Sequence, residues 1–369
     1  MRLYTLMIVA MLLLVAVGGI RCSGKVSSDL SPVVSPTTER LTFFSPLTSL
    51  PEISEELILF ISLREGHSNI YGVSADGTKT FQILGLTETF RVTGHMDWSP
   101  ITNKVAFGLA QGTRNDIFVA DLTISTLHNV TAATASGGSE PRWSPDGARL
   151  AYVCGDYEPD ICIIYPDGSG YVQLTSHPSR DINPSWSPDG RAIAYQTSRG
   201  GLSDIYIINL EDQTERDLTL GVSQNAQPTW SPNGEAILFQ SDRDGSMDIF
   251  IISLKDSQVT NMTHSEALDV DPKWSPDGKF IAFRSNRDGE WDLFMMRPSY
   301  SNPVNLTVGW GPVFTYDWSP DGRYIVFASG RTDNSKIYKV SIESREVVQL
   351  TYGPSNDMAP LWISLKQNK

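Results

Sequence analysis

Few side chains in this sequence are placed to do chemistry. Of its five histidines, His67, His95, His177 and His264 stand in polar, turn-rich stretches, and imidazole is a common ligand for a divalent metal. Cys154 and Cys162 lie either side of a short polar segment. On adjacent antiparallel strands such a pair is within disulfide range; two buried thiols are the alternative. Trp291 and Trp310 sit in Gly289-Glu290-Trp291 and Gly309-Trp310-Gly311-Pro312, with Phe314 and Tyr316 just beyond. Aromatic clusters left on a surface are typical binding anchors. Other chemistries are excluded. There is no Gly-x-Ser-x-Gly elbow, no His-Glu-x-x-His or Cys-x-x-Cys, and no glycine-rich phosphate loop opening a helix.

The elements that position these residues follow from a repeat. Trp-Ser-Pro occurs at Trp98, Trp143, Trp186, Trp230, Trp274 and Trp318, and a seventh tryptophan, Trp362, continues the series. The interval is about 44 residues, in the range of repeat architectures. In one unit, Asn183-Pro184-Ser185-Trp186 reads as a strand (A) and Ser187-Pro188-Asp189-Gly190 as a type I turn. Ala192-Ile193-Ala194-Tyr195 is strand B, Ile205-Tyr206-Ile207-Ile208 strand C, and a fourth strand (D) ends at Leu218-Thr219. Four short strands with their turns use up the unit, so no helix fits. B strands carry Phe60 to Phe327, C strands Ile70 to Ile337, and D strands end at Thr87 to Thr351, seven members in each class. The chain therefore begins on a B strand near Leu57 and ends on an A strand near Trp362. If that last A strand completes the first blade, no sheet edge or blade face is left open. The predicted fold is all-β: a seven-bladed β-propeller of four-stranded antiparallel blades, its ring closed by the C-terminal strand.

Trp-Ser-Pro-Asp-Gly, Ile-Ala-Phe, Ser-Asn-Arg-Asp-Gly (285–289) and Asp-Leu-Phe resemble the propeller repeats of the TolB-like family, also found in prolyl-oligopeptidase-type peptidases. The resemblance covers about residues 55–365. It implies a WD40-like binding fold, without the extra α/β domain and with seven blades where TolB itself has six. Blade 2 departs from the pattern, with Ser99-Pro100-Ile101-Thr102. The ring also resembles, in blade count, propeller lyases acting on oligogalacturonates, which hold a metal with several histidines. That makes His67, His95, His177 and His264 candidate metal ligands. All four fall in B–C or D–A connections, which share one face, and they could meet only near the axis. Arg64, Arg199, Arg243, Arg287 and Arg331 recur in B–C loops, and Asp181, Asn225, Asp269 and Asp357 recur five residues before the tryptophan. Recurrence from blade to blade points to the fold, and these are expected to be inter-blade partners.

The chain has 369 residues and a formal charge of −13, with 40% hydrophobic and 19% charged residues. That is apolar enough for a core and too acidic for a phosphate-neutralising nucleic-acid binder. Residues 1–22 read as an export leader or membrane anchor: Arg2, an apolar run to Ile20, then Cys22 in the place of a lipoprotein's acylated cysteine. Arg21 departs from that signal. Residues 23–54 are a Ser/Thr/Pro-rich tether, and 55–369 the propeller. The expectation is an extracytoplasmic protein attached to the membrane through its N-terminus, or secreted. It binds a protein or carbohydrate of the cell envelope without catalysis or cofactor, through Trp291, Trp310, Phe314 and Tyr316. A metal-dependent polysaccharide lyase or hydrolase acting at the axial mouth, and a scaffold subunit of an envelope complex, are the rivals. For the leader, the expected intact mass of membrane-extracted protein is that of a chain starting at Cys22 with lipid attached. A mass matching residues 1–369, or another start, rejects lipidation at Cys22.

Overall fold

The computed structural model describes residues 42–43 and 56–365, apart from 156, 300 and 301; Cys22 and the leader lie outside them. Seven antiparallel sheets follow one another along the chain. Blade 1 holds Glu56–Ser62, Asn69–Ser74 and Thr80–Gly85 as strands B, C and D. Blades 2 to 7 span 90–129, 139–173, 181–217, 225–261, 269–305 and 313–349, each in the order A-B-C-D. The fold is the expected seven-bladed propeller. One addition concerns the segment assigned to the tether: Thr42–Phe43 pairs with the D strand of blade 1, Thr42 opposite Gly85, as a fifth strand on its outer edge.

The A–B turn shows why the repeat folds as it does. In blade 4 the Ser187 hydroxyl donates to Asp189 at 2.6 Å and accepts the N–H of Ala192 at 2.9 Å. Asp189 accepts the N–H of Arg191 at 3.0 Å. Gly190 takes φ 69°, a left-handed conformation that suits glycine. In blade 2, which lacks the Asp-Gly pair, the left-handed residue is Asn103, one position later, with φ 54°.

Blades meet through side-chain wedges. The Trp186 indole N–H donates to the Arg142 carbonyl of the preceding blade at 3.0 Å. Its ring joins a buried cluster of Ala151, Val153 and Ile161 from blade 3 with Ile193 and Tyr195 from blade 4. B and C strands pair aromatic rings, as in Phe239–Phe250 and Phe283–Phe294, each at 5.8 Å. The recurring arginines cap those pairs: Arg243 lies 4.9 Å from the Phe250 ring centre and Arg287 4.8 Å from that of Phe294. Each then reaches the start of an A strand, Arg287 to Asp269 at 2.7 Å and Arg243 to Asn225 at 2.9 Å. Both partners belong to the same blade, which corrects the inter-blade expectation. The Asp or Asn must sit at the blade's own B–C corner because strands A and B are adjacent there.

Closure is made by Asp357–Ser364, the A strand of blade 1. Ile58 faces Trp362 and Leu57 faces Ile363. Leu57, Ile58 and Ile363 are fully buried and Trp362 is 3% exposed. Arg64 and Asp357 join the two ends of the propeller at 3.4 Å. Fully burying each such side chain contributes roughly 1.5–3 kcal/mol. Deleting residues 356–369 is therefore expected to abolish cooperative melting at the full-length temperature, measured by circular dichroism. An unchanged melt would rule out closure by this strand.

Candidate functional site

The innermost strands converge on an axis, and their sequence bends them there. Five A strands carry a non-glycine residue in the left-handed region three places before the tryptophan: Glu140, Asn183, Gln227, Asp271 and Ala359, with φ between 49° and 55°. The pairing register slips at this point, as between Ile182 and Ser185 in blade 4, which makes each a β-bulge. Proline follows in every case (Pro141, Pro184, Pro228, Pro272 and Pro360), at a bulge where the missing N–H is tolerated. Left-handed non-glycine residues cost about 1–3 kcal/mol each. The bulges re-aim the inner side chains into an axial cavity of about 610 Å³, lined from all seven blades.

The cavity wall carries three cations and three carboxylates. Arg284 grips Asp271, with Nε donating at 2.6 Å, and its Nη1 donates to the Val313 carbonyl at 3.1 Å. Lys273 donates to Asp317 at 3.2 Å and to the Tyr316 carbonyl at 2.8 Å. Asp317 and Asp97 each accept the backbone N–H of a tryptophan in the next blade, Trp362 at 3.2 Å and Trp143 at 2.6 Å. Burial pushes the Asp97 carboxyl up, against the attraction of Arg142. Arg142 donates to the Pro141 carbonyl at 3.2 Å and makes no ion pair among the described residues. His95 is exposed into the cavity, yet protein surrounds it on most sides. That enclosure, with the fields of Arg142 and Lys273, lowers its pKa to about 4. At neutral pH its imidazole is an uncharged donor and acceptor.

The sequence-derived candidates fall in different places. Phe314 is 45% exposed on the cavity wall. Gly330 backs it, and a Cβ there would come within 2.7 Å of the Phe314 ring. Tyr316 also borders the cavity but is 4% exposed. Its hydroxyl donates to the Asp271 and Ala282 carbonyls, the latter at 2.9 Å, stitching blade 7 to blade 6. The Arg284 guanidinium lies 5.2 Å from the Trp291 ring centre, between that ring and Asp271. Trp310 meets the Tyr338 ring edge-on at 5.3 Å, under Arg331 at 4.1 Å, and joins the core cluster of blades 6 and 7. His95 lines the cavity; His67 stands 3.8 Å from Glu65, and His177 and His264 are exposed. Among the described residues no three His, Cys, Asp or Glu side chains come together as a metal cage. Cys154 and Cys162 form a disulfide across strands B and C of blade 3, with Cα atoms 5.9 Å apart. Sequence reasoning passed over the residue before each tryptophan: Asp97, Arg142, Ser185, Thr229, Lys273, Asp317 and Leu361. The signal was its variation in a chain whose other positions repeat.

A closed ring of four-stranded blades around a polar axial cavity defines a β-propeller. The chain matches the PD40 family, described as the TolB beta propeller domain, over residues 92–241 and 222–311, more than half its length, and belongs to that family. No curated protein sequence matches it. Among solved structures it is similar to TolB from Acinetobacter baumannii, with 19% identity and TM-score 0.57 over 81% of this chain and 79% of that one. It is also similar to a puromycin-hydrolyzing peptidase of Mycobacterium tuberculosis, with 15% identity and TM-score 0.62 over 84% of this chain and 53% of the peptidase. An oligogalacturonate lyase in complex with manganese gives 11% identity and TM-score 0.60 over 80% and 85%. At these identities the likeness is one of fold.

The lowered pKa of His95 has a consequence for stability. The unfolded chain takes up this proton near pH 6.5 and the folded chain only near pH 4. Stability is therefore lost as pH falls from about 6.5 to about 4, and no further loss from this group follows below that. His95→Gln is expected to gain on the wild type in urea unfolding across that window. In NMR the His95 ring should titrate near pH 4; titration near 6.5 would contradict the enclosure described.

Proposed function

We propose that this chain is an extracytoplasmic binding platform of the TolB propeller type. It is attached to the membrane through its N-terminus and holds a protein ligand of the cell envelope at the axial cavity without catalysis. The observation that carries the reading is the cavity itself: about 610 Å³ lined from every blade. Phe314 is open on its wall, and among the described residues Arg142 has no carboxylate partner, donating only to the Pro141 carbonyl. An open aromatic ring offers apolar contact, and a guanidinium with donors to spare selects a carboxylate or carbonyl. The prolines after each bulge keep the inner strands stiff, which lowers the ordering cost of binding. The Cys154–Cys162 disulfide supports an oxidising compartment.

The test is capture from an envelope extract on wild-type protein and on a variant with Phe314→Ser and Arg142→Ala, with retained species identified by mass spectrometry. The expected outcome is a protein retained by the wild type and depleted about tenfold on the variant, with the melting temperature within 2 °C or so. Equal capture overturns the axial assignment, and retention of a carbohydrate alone replaces the protein ligand with a glycan.

A further inference from the structure

The residue directly after the D-strand threonine separates this chain's two halves. That threonine serves the fold: the Thr219 hydroxyl accepts the N–H of Ile205 at 3.0 Å and donates to Asp204 at 2.7 Å. The next side chain turns outward. Blades 2 and 3 have Ala132 and Ser176 there. Blades 4, 6 and 7 have Leu220, Val308 and Tyr352, which are 76%, 72% and 66% exposed. Recurrence in a ring sets these three along one arc of a single face, with His264 at the same position in blade 5. Core packing does not account for them, since most of each side chain stays in solvent; the Tyr352 hydroxyl alone turns back, donating to the Gln349 carbonyl at 3.0 Å. Leu220 is held at φ 59°, a conformation that costs leucine stability and glycine almost none. The fold alone would favour glycine at this place.

The arc is flanked by acids. Asp244 and Asp288 are exposed, and each carboxylate is tied to a D strand, by Asn261 and Asn305 respectively, at 2.8 Å. Asn261 also accepts the N–H of His264 at 3.0 Å, so these carboxylates sit beside the outward residues of blades 5 and 6. Glu266 and Glu290 are exposed in the adjoining loops, and the chain's formal charge is −13.

We propose that this arc over blades 4 to 7 is a second interaction surface, separate from the axial cavity, which docks a protein segment carrying apolar side chains between lysines or arginines. The apolar residues supply contact area, and the fixed carboxylates steer and select a cationic partner. An anionic lipid surface is disfavoured by the same charge.

The test uses the full-length protein captured on a biosensor and a twelve-residue peptide, Lys-Leu-Lys-Ser-Leu-Lys repeated twice. The wild type is expected to bind it, more weakly as salt rises. Leu220→Gly with Val308→Ser should weaken binding at least tenfold, whereas Phe314→Ser in the axial cavity should leave it unchanged. Leu220→Gly alone should raise the melting temperature by about 2 °C, because it removes backbone strain. The proposal is overturned if the double variant binds as well as the wild type. It is equally overturned if a peptide with serine for leucine, or glutamate for lysine, binds as tightly. A fall in the melting temperature of Leu220→Gly would show the leucine to be part of the fold. Binding to phosphatidylglycerol vesicles that depends on the same residues would assign the arc to a membrane instead.

Discussion

The propeller depends on one pairing made late in the chain. Every blade rests its inner tryptophan on the blade before it, as Trp186 rests on the strands of blade 3, so the array needs a last blade to lean on the first. The pairing of Ile58 with Trp362 supplies that contact. Without it Ile58, Phe60 and Val73 of blade 1 would lose Val326 and Ala328 of blade 7, with which they form one buried cluster. The residues concerned are far apart in sequence, so the loop-closure cost is met only when all seven blades are in place. The axial cavity inherits this dependence, because Leu361 and Pro360 of the closing strand form part of its wall.

Charge inside the ring is arranged to be locally neutral. Asp181, Asp269 and Asp357 have no solvent exposure. An isolated carboxylate at such sites would be strongly disfavoured, yet each has an arginine of its own blade within 3.5 Å or less. The arginine in turn lies over an aromatic pair. A guanidinium suits both tasks, being planar and weakly hydrated. The axial cavity is the exception. There Arg142 faces Asp97 without an ion pair, and the Asp97 carboxyl is pushed up by burial. The least settled charges in the inner ring thus stand where a ligand could reach them.

Much of the architecture was legible in the sequence, because a repeat states each element seven times. The blade count, the offset start and the closing strand near Trp362 were read from position alone; the adjacency of Cys154 and Cys162 was read too, while the choice between disulfide and thiols was left to the structure. The site was less legible. Trp291 and Trp310 stood out because they exceed the repeat, but Trp310 fills a seam against Tyr338 and Trp291 has Arg284 across its ring. Tyr316 looked like a surface aromatic, and its hydroxyl instead links two blades. An extra aromatic and a core aromatic carry the same letter; only packing separates them. The axial residues were missed for the converse reason. One inner position drawn from seven blades forms a single ring in space, and those residues are never neighbours in sequence. The four candidate histidines show the same limit from the other side: sharing a face by register does not bring them together, and among the described residues no three metal-ligating side chains gather.

The last seam shows how a repeat departs from itself. In blades 2 to 6 strand C carries, at or near its start, an aspartate that accepts the D-strand threonine hydroxyl, at 2.7 Å from Thr131 to Asp116 and 2.6 Å from Thr263 to Asp248. That aspartate lies near the first residue of the next A strand. Between blades 3 and 4 the neighbour is another aspartate: burial raises the pKa of Asp160 and the charge of Asp181 raises it further. Between blades 4 and 5 it is Asn225, whose amide donates to Asp204 at 3.4 Å. In blade 7 the position is Lys336, which is 3% exposed and donates to the carbonyls of Ser335 and Ser355. Its neighbour across the seam is Asp357, whose charge opposes the lowering that burial imposes on the lysine. At the seam between blade 7 and the A strand of blade 1, which residues 350–356 bridge as a D–A connection bridges each other seam, the position opposite the buried aspartate is taken by a lysine, and the pair is attractive.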